Sequence, residues 1–514
     1  MIKELELVVP PEEINNEGYI LSLAAKSLSI SAKLIKQVDI DKRSIDARSR
    51  KVVYRIKVKV YLDHLPVPET FTVNYPNVHD KKPVIIVGAG PAGLFAALQC
   101  IELGLKPIII ERGKDVKQRR RDLALINKEG VINSESNYCF GEGGAGTYSD
   151  GKLYTRSNKR GDIQKVLNIL VSHGATKDIL IDARPHIGTN KLPQIIVAIR
   201  ETILNAGGEV NFDTRVNKLI IESNKIKGVE TSQGSFFAAA VVLATGHSSR
   251  DIYHLLHGQG ILLEAKPFAL GVRIEHPQSI VDQAQYHCDT RSPHLPPSYY
   301  SLVEQVENRG VFSFCMCPGG IIAPCATSEN EIVVNGWSPS KRNNPFANSG
   351  TVVQVNLEDV KGDGNDPLRL LTFQSLIENI AFNAGGGKLV APAQRMVDFV
   401  EGRLSTDLPI NSYLPGCKST DLKNVLPAFI SDRLKKALPV FGQKMKGYYT
   451  NEALIVGVES RTSSPVRIPR DKVTYQHPQV KGLFPCAEGA GYAGGIVSAA
   501  IDGVNCAYAA FKIL

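Results

Sequence analysis

The chain has 514 residues, 43% hydrophobic and 22% charged, which excludes a small stapled scaffold and a disordered polymer and predicts two or three domains. Sixty lysines and arginines against fifty-one acids leave +9, too modest over this length to mark a nucleic-acid binder by itself. Nine cysteines, with only Cys315 and Cys317 close together, fit neither a disulfide framework nor a zinc ribbon and point to a reducing compartment.

The amino-terminal MIKELELVVPPEE carries acids early and has no apolar stretch ending at a cleavage site, so no signal peptide and a cytoplasmic location are expected. Residues 1–80 read as a small α+β domain. Helical spacing over Ile20 to Gln37 precedes a strand in which Tyr54, Ile56, Val58 and Val60 alternate with Arg55, Lys57 and Lys59, burying one face and exposing a basic one. Eight basic residues and one acid lie between Lys42 and Lys59. A surface for RNA is one reading; an ordinary solvated sheet face is favoured, because residues 1–80 together carry only about +1.

At Lys81 the pattern changes to strand, tight turn, helix and second strand (IIIERG, 108–113), the start of a parallel doubly wound sheet. Val84 to Ile101 is uncharged and about long enough to span a bilayer, but its three glycines and one proline stand at a strand-to-helix junction and argue against a span. Residues 81–265 and 447–514 are assigned to this nucleotide-binding layer. Residues 266–446, with short alternating strands and helical patterns around 367–383 and 418–438, are assigned to an inserted α+β domain.

Gly88-Ala89-Gly90-Pro91-Ala92-Gly93 follows the first hydrophobic strand and opens the helix. Gly88 permits the sharp turn, Gly90 leaves no Cβ where a pyrophosphate approaches, and Gly93 lets the helix sit close on the sheet. Helix amides there favour a phosphate. Glu111 closes the second strand twenty-three positions after Gly88, with Arg112 beside it, placed to accept hydrogen bonds from a ribose diol. Near the carboxyl end, GLFPCAEGAGYAGGIVSAAIDG has a strand ending on Glu488, a glycine-rich turn and a helix opening at Gly495 and Ile496. A flavin needs such a second element: a carboxylate for ribityl hydroxyls and a helix amino terminus beside the N1/O2 edge of the ring. Between the two, Ala244, Thr245 and Gly246 end a buried strand at the expected crevice.

These residues resemble the two-domain FAD flavoproteins of the glutathione-reductase-like superfamily, and more closely a bacterial family of uncharacterised FAD-dependent dehydrogenases. The resemblance covers Lys81 to Leu514 and rests on GAGPAG, FGEGGAGTYSDGKLYT (140–155), CMCPGG (315–320), VESRTSSPVRI (458–468) and AEGAGYAGGI (487–496). It implies bound FAD with Glu111 at the adenosine ribose, Val216 near the adenine, Glu488 at the ribityl chain and Ile496 at the isoalloxazine; the amino-terminal unit resembles a small extra domain of that group. Ala487 departs from it, standing where glycine is usual.

In FGEGGAGTYSDGK, the glycines permit a backbone nest in which Gly144, Ala145 and Gly146 meet the cofactor. Lys152 beside it is a candidate for stabilising an anionic flavin or substrate. Cys317, with Cys315, is a candidate redox residue; ideal strand spacing, about 6.5 Å between residues two apart, opposes a disulfide and favours a structural role. His247, His254 and His257 lack partners at ligand spacing, so no metal is expected. Arg461 either binds a substrate carboxylate or pairs with Glu459 or a carbonyl. The function expected is an FAD-dependent oxidoreductase that exchanges hydride or electrons at flavin N5 with a small molecule. With no second βαβ unit beyond the one that carries GAGPAG, any NAD(P)H would bind transiently. A flavin-dependent RNA-modifying enzyme and a non-catalytic FAD sensor are the alternatives.

Overall fold

The computed structural model describes residues 1–66, 71–155 and 161–514. In the amino-terminal unit, strand Val53–Tyr61 is central, paired antiparallel with Ile2–Val9 and Gln37–Asp46. The alternation works as expected: Tyr54, Ile56, Val58 and Val60 are buried in one cluster with Ile20, Ala24 and Ala25 of helix Glu17–Leu28. That helix stops well before Gln37, because Ser29 turns left-handed at φ 56° and the chain re-enters the sheet at Gln37. The basic face is interleaved with acids. Arg55 meets Asp46 at 2.7 Å and Glu6 at 3.3 Å, and Lys59 meets Asp41 at 3.2 Å.

Five parallel strands form the nucleotide-binding sheet, in the order Leu483–Pro485, Val241–Leu243, Pro83–Val87, Lys106–Ile110, Glu209–Asn211. From Pro83–Val87 the chain winds outward in one direction through Lys106–Ile110 and in the other through Val241–Leu243. The crevice beyond the carboxyl end of Pro83–Val87 is therefore a topological switch point, where doubly wound sheets bind ligands. Helix Pro91–Glu102 leaves this point with proline at its first position and is almost wholly buried. Helix Ile496–Phe511 packs against it so closely that a Cβ on Gly503 would lie 2.0 Å from the Ala92 carbonyl oxygen. Among the described residues, no helix is long and apolar enough to cross a membrane.

The insert is built on a seven-stranded sheet in which Phe268–Pro277 lies between Phe346–Val355 and Leu454–Glu459. Helices Arg369–Gly385 and Ala428–Lys444 share its core, with Leu434, Leu438 and Phe441 fully buried. Strand Leu454–Glu459 corrects the boundary expected at 446: its partners are Phe268–Pro277 and Ala391–Arg395, so the insert's sheet extends at least to Glu459.

Candidate functional site

A cleft opens at the switch point between the nucleotide-binding sheet and the insert. Gly88, at φ +106°, sits against the next strand, where a Cβ would be 2.4 Å from the Ala244 carbonyl oxygen. Gly90 faces the cleft, with only the Gly144 Cα as near as 4.0 Å to the position of its absent Cβ. Pro91, Ala92, Ala244, Thr245 and Gly246 also line it. Ala89 and Gly93, in the same turn, do not line it. Gly93 packs inward, its Cβ position 1.9 Å from the Gly88 carbonyl oxygen, so it closes helix on turn without facing a ligand. Ala89 is buried, donating its N–H to Glu111 and accepting from Gly143 N–H.

Glu111, expected at a ribose diol, also holds the backbone around it. Its carboxylate accepts N–H groups of Ala89, Gly113 and Gly141, each at 2.9 Å. One buried carboxylate thus ties the first glycine turn to the 140–147 loop, and a carboxylate's four acceptor sites leave one for a ribose hydroxyl. Arg112 lines the cleft while paired with Glu135 and Asp251 at 3.0 and 2.8 Å and stacked over Phe140. Val216 lines the same end beside Thr214 and Arg215.

The loop carrying Gly144, Ala145 and Gly146 lies across the first turn, and all three line the cleft. It is held from below by Arg119, fully buried, which donates to the carbonyls of Asn137, Tyr138, Glu142 and Gly144. Within the basic run 119–121, nothing in the sequence distinguishes this arginine from its exposed neighbours.

At the opposite wall, Glu488 lies 3.5 Å from His247 Nδ1, whose other ring nitrogen meets the Arg461 carbonyl at 3.0 Å. A Cβ on Gly494 would be 2.9 Å from Glu488 Oε1, which explains that glycine. Gly495, at φ +82°, has open space where a side chain would be, and helix Ile496–Phe511 begins there with no side-chain cap. Its first amides are therefore available to an anionic edge. Gly90 and Gly495, two unfilled backbone cradles joined by one cleft, fit an extended dinucleotide carrying a flavin.

The insert contributes Phe314, Cys315, Asn335, Arg461 and Thr462 to the cleft. Arg461 pairs with Glu378 and Glu331, at 3.1 and 3.2 Å, and with Thr327; Glu459, the partner considered from sequence, meets Arg273 at 2.6 Å. Lys152 stands 3.3 Å from buried Asp150, which also binds Arg342 at 2.8 Å. The ammonium lies 3.5 Å from Cys317 Sγ and 3.7 Å from Cys315 Sγ. Arg342 went unrecognised because its partner is far away in sequence. Elsewhere Cys486, Asp502 and Cys506 converge within 4.8 Å, but Arg470 donates two 2.7 Å bonds to Asp502, so a guanidinium already neutralises the carboxylate.

Residues 83–142 match a family described as FAD binding domain, residues 267–462 one described as FAD-dependent protein, C-terminal domain-like, and residues 1–61 a domain of unknown function. An uncharacterised protein from Clostridium beijerinckii is 41% identical over 502 residues, covering 94% of this chain and 93% of its own length. A thiamine thiazole synthase from Aeropyrum pernix is 28% identical over 152 residues, 29% of this chain and 44% of its own. Among solved structures, a glycine oxidase from Bacillus cereus aligns over 84% of this chain and 96% of its own at 15% identity, with a TM-score of 0.32, too low to carry an argument.

Proposed function

The chain belongs to a family of FAD-dependent proteins that includes the Clostridium beijerinckii relative, and from that premise we propose that it is an FAD-dependent oxidoreductase whose small-molecule substrate binds between the nucleotide-binding sheet and the insert. The observation that carries this reading is the convergence of two glycine cradles, Gly90 and Gly495, on one cleft at the switch point. The finer assignment to the glutathione-reductase-like superfamily is supported by the second element, Glu488 to Ile496, which dinucleotide binding alone does not require.

Bound FAD supplies hydride or electron transfer at the N5 position of its flavin ring. The chain's own groups hold and shield it. Glu111 fixes the two glycine turns that would receive the pyrophosphate, and Val216 would hold the adenine end. Glu488 and the uncapped amides after Gly495 suit the ribityl chain and the electron-rich edge of the reduced ring. Phe314, Cys315 and Asn335 of the insert line the cleft opposite the sheet and would face a substrate there. With GxGxxG set in a complete strand–helix–strand unit only at Gly88 to Gly93, a pyridine nucleotide is proposed only as a transient partner. A cytoplasmic location is proposed from the cysteine spacing, which fits no disulfide framework.

Purified protein is expected to be yellow, or to become so on reconstitution with FAD, to bleach on anaerobic photoreduction and to recover its colour with oxygen or one of a panel of acceptors. Protein that stays colourless after reconstitution would overturn the cofactor assignment. Flavin that bleaches but is reoxidised by no acceptor would favour the sensor reading over an enzyme.

A further inference from the structure

Cys315 and Cys317 escape the strand geometry that argued against their meeting. Pairing of Arg309–Cys317 with Phe346–Val355 shifts register between Phe314 and Cys317, and Cys315 turns left-handed at φ 46°, a conformation uncommon for a residue with a Cβ. In this bulge Cys317 Sγ donates to the Cys315 carbonyl at 3.3 Å, and the two thiols share the Lys152 ammonium, 3.7 Å from Cys315 Sγ and 3.5 Å from Cys317 Sγ. Arg273 holds the bulge from behind, donating to the Cys315 carbonyl at 2.8 Å and approaching Cys317 Sγ at 3.6 Å. Asp150 anchors Lys152 and is itself held by Arg342; Glu459 is engaged by Arg273. Cys317 is buried, Cys315 is exposed, and Cys315, Lys152 and Asp150 all line the cofactor cleft.

We propose that Cys315 and Cys317 form a dithiol–disulfide pair that exchanges two electrons with the flavin in this cleft, with Lys152 as its positioning cation. The inference rests on the FAD reading above. In the oxidising direction, the Cys315 thiolate and the Cys317 thiol form one S–S bond and the Cys317 S–H bond breaks. Two electrons and that proton pass to the flavin, which accepts them as its singly charged reduced form, so hydrogen and charge balance. The reverse reaction reduces the disulfide. The ionisation of the pair suits the step. The neighbouring Cys317 thiol lowers the Cys315 thiol well below its ordinary value, with Lys152 and Arg273 acting in the same direction against burial. Cys317 is raised by that same contact and by burial. One sulfur is thereby set as nucleophile and the other as proton carrier.

The test is an anaerobic dithionite titration of the FAD-loaded full chain, followed by flavin absorbance, with iodoacetamide labelling and mass spectrometry of both cysteines before and after. Air-oxidised protein is expected to take up about four electrons per flavin, two for the ring and two for a disulfide, with Cys315 and Cys317 alkylated only after reduction. The variants Cys315→Ser and Cys317→Ser should take up about two. Uptake of about two by the unaltered protein overturns the proposal, whether both thiols are alkylated from the outset or neither is alkylated at the end. Protein that binds no flavin at all fails the FAD reading itself, a result distinct from bound flavin that takes only two electrons. For Lys152→Met, alkylation of reduced Cys315 at neutral pH should slow about tenfold and its pH midpoint should rise; an unchanged profile removes Lys152 from the assignment.

Discussion

Ala487 sits at φ 56° and ψ −145°, a combination open to glycine and strained for any residue with a Cβ, at a cost of about 1–3 kcal/mol. The surroundings hold it there: its N–H donates to Asp502 at 2.7 Å and its carbonyl accepts from Tyr492 N–H at 3.0 Å. Ala487→Gly should therefore relieve strain. The flexibility that glycine gives the unfolded chain costs about 0.5–1 kcal/mol in return, so a net gain of about 1 kcal/mol is expected, read as a thermal midpoint higher by a degree or two. The departure at Ala487 was legible in the sequence because it falls inside a motif whose backbone demands are local. Gly88 and Gly90 were legible for the same reason. Arg119 and the Asp150–Arg342 pair were not, since each is defined by partners brought near only by folding. Glu111 is intermediate: its place in the motif was evident, but its three amide partners include Gly141, thirty residues downstream, which no local pattern announces.

Strand Phe268–Pro277 carries two neighbouring buried groups with opposite pH behaviour. Burial raises Glu275 to about 7 despite hydrogen bonds from Ser412, and lowers His276 to about 4 despite its bond to the Tyr448 carbonyl. For Glu275 the folded chain binds the proton more tightly than the unfolded one, so stability falls as pH rises from about 4.5 to 7. For His276 the unfolded chain binds the proton more tightly, so stability falls as pH drops from about 6.5 to 4. Each amounts to something on the order of 3 kcal/mol. Glu275→Gln, which keeps an acceptor for Ser412 N–H, should raise the thermal midpoint at pH 8, with the gain shrinking towards pH 5; a gain equal at both values would assign the effect to packing. At this scale the sequence patterns identified strands and helices but misplaced two features. The helix at Glu17–Leu28 ended early at a left-handed serine, and a bulge overrode the strand spacing assumed for Cys315 and Cys317. Both depend on single backbone angles that periodicity does not encode.

The nucleotide-binding layer is divided in sequence by the whole insert, and its two parts are pressed together where helix Ile496–Phe511 crosses helix Pro91–Glu102. A methyl group on Gly503 would meet backbone, not a flexible side chain, so Gly503→Ala should cost about 1–3 kcal/mol. The thermal midpoint should fall by several degrees, and FAD should be lost more readily on dilution, because Gly495 and Ile496 open the displaced helix. The alternation between doubly wound sheet and insert was visible in composition and turn spacing. The insert's return strand, Leu454–Glu459, was not, because a short buried strand reads alike in either sheet.

Neither cradle of the cleft is complete until segments distant along the polypeptide have met, and such long-range closure is slow to reach. The visible spectrum of the bound chromophore therefore serves as a built-in gauge of assembly: in a refolding mixture, the native flavin band counts only molecules whose separated halves have docked correctly, whatever secondary structure the others have regained.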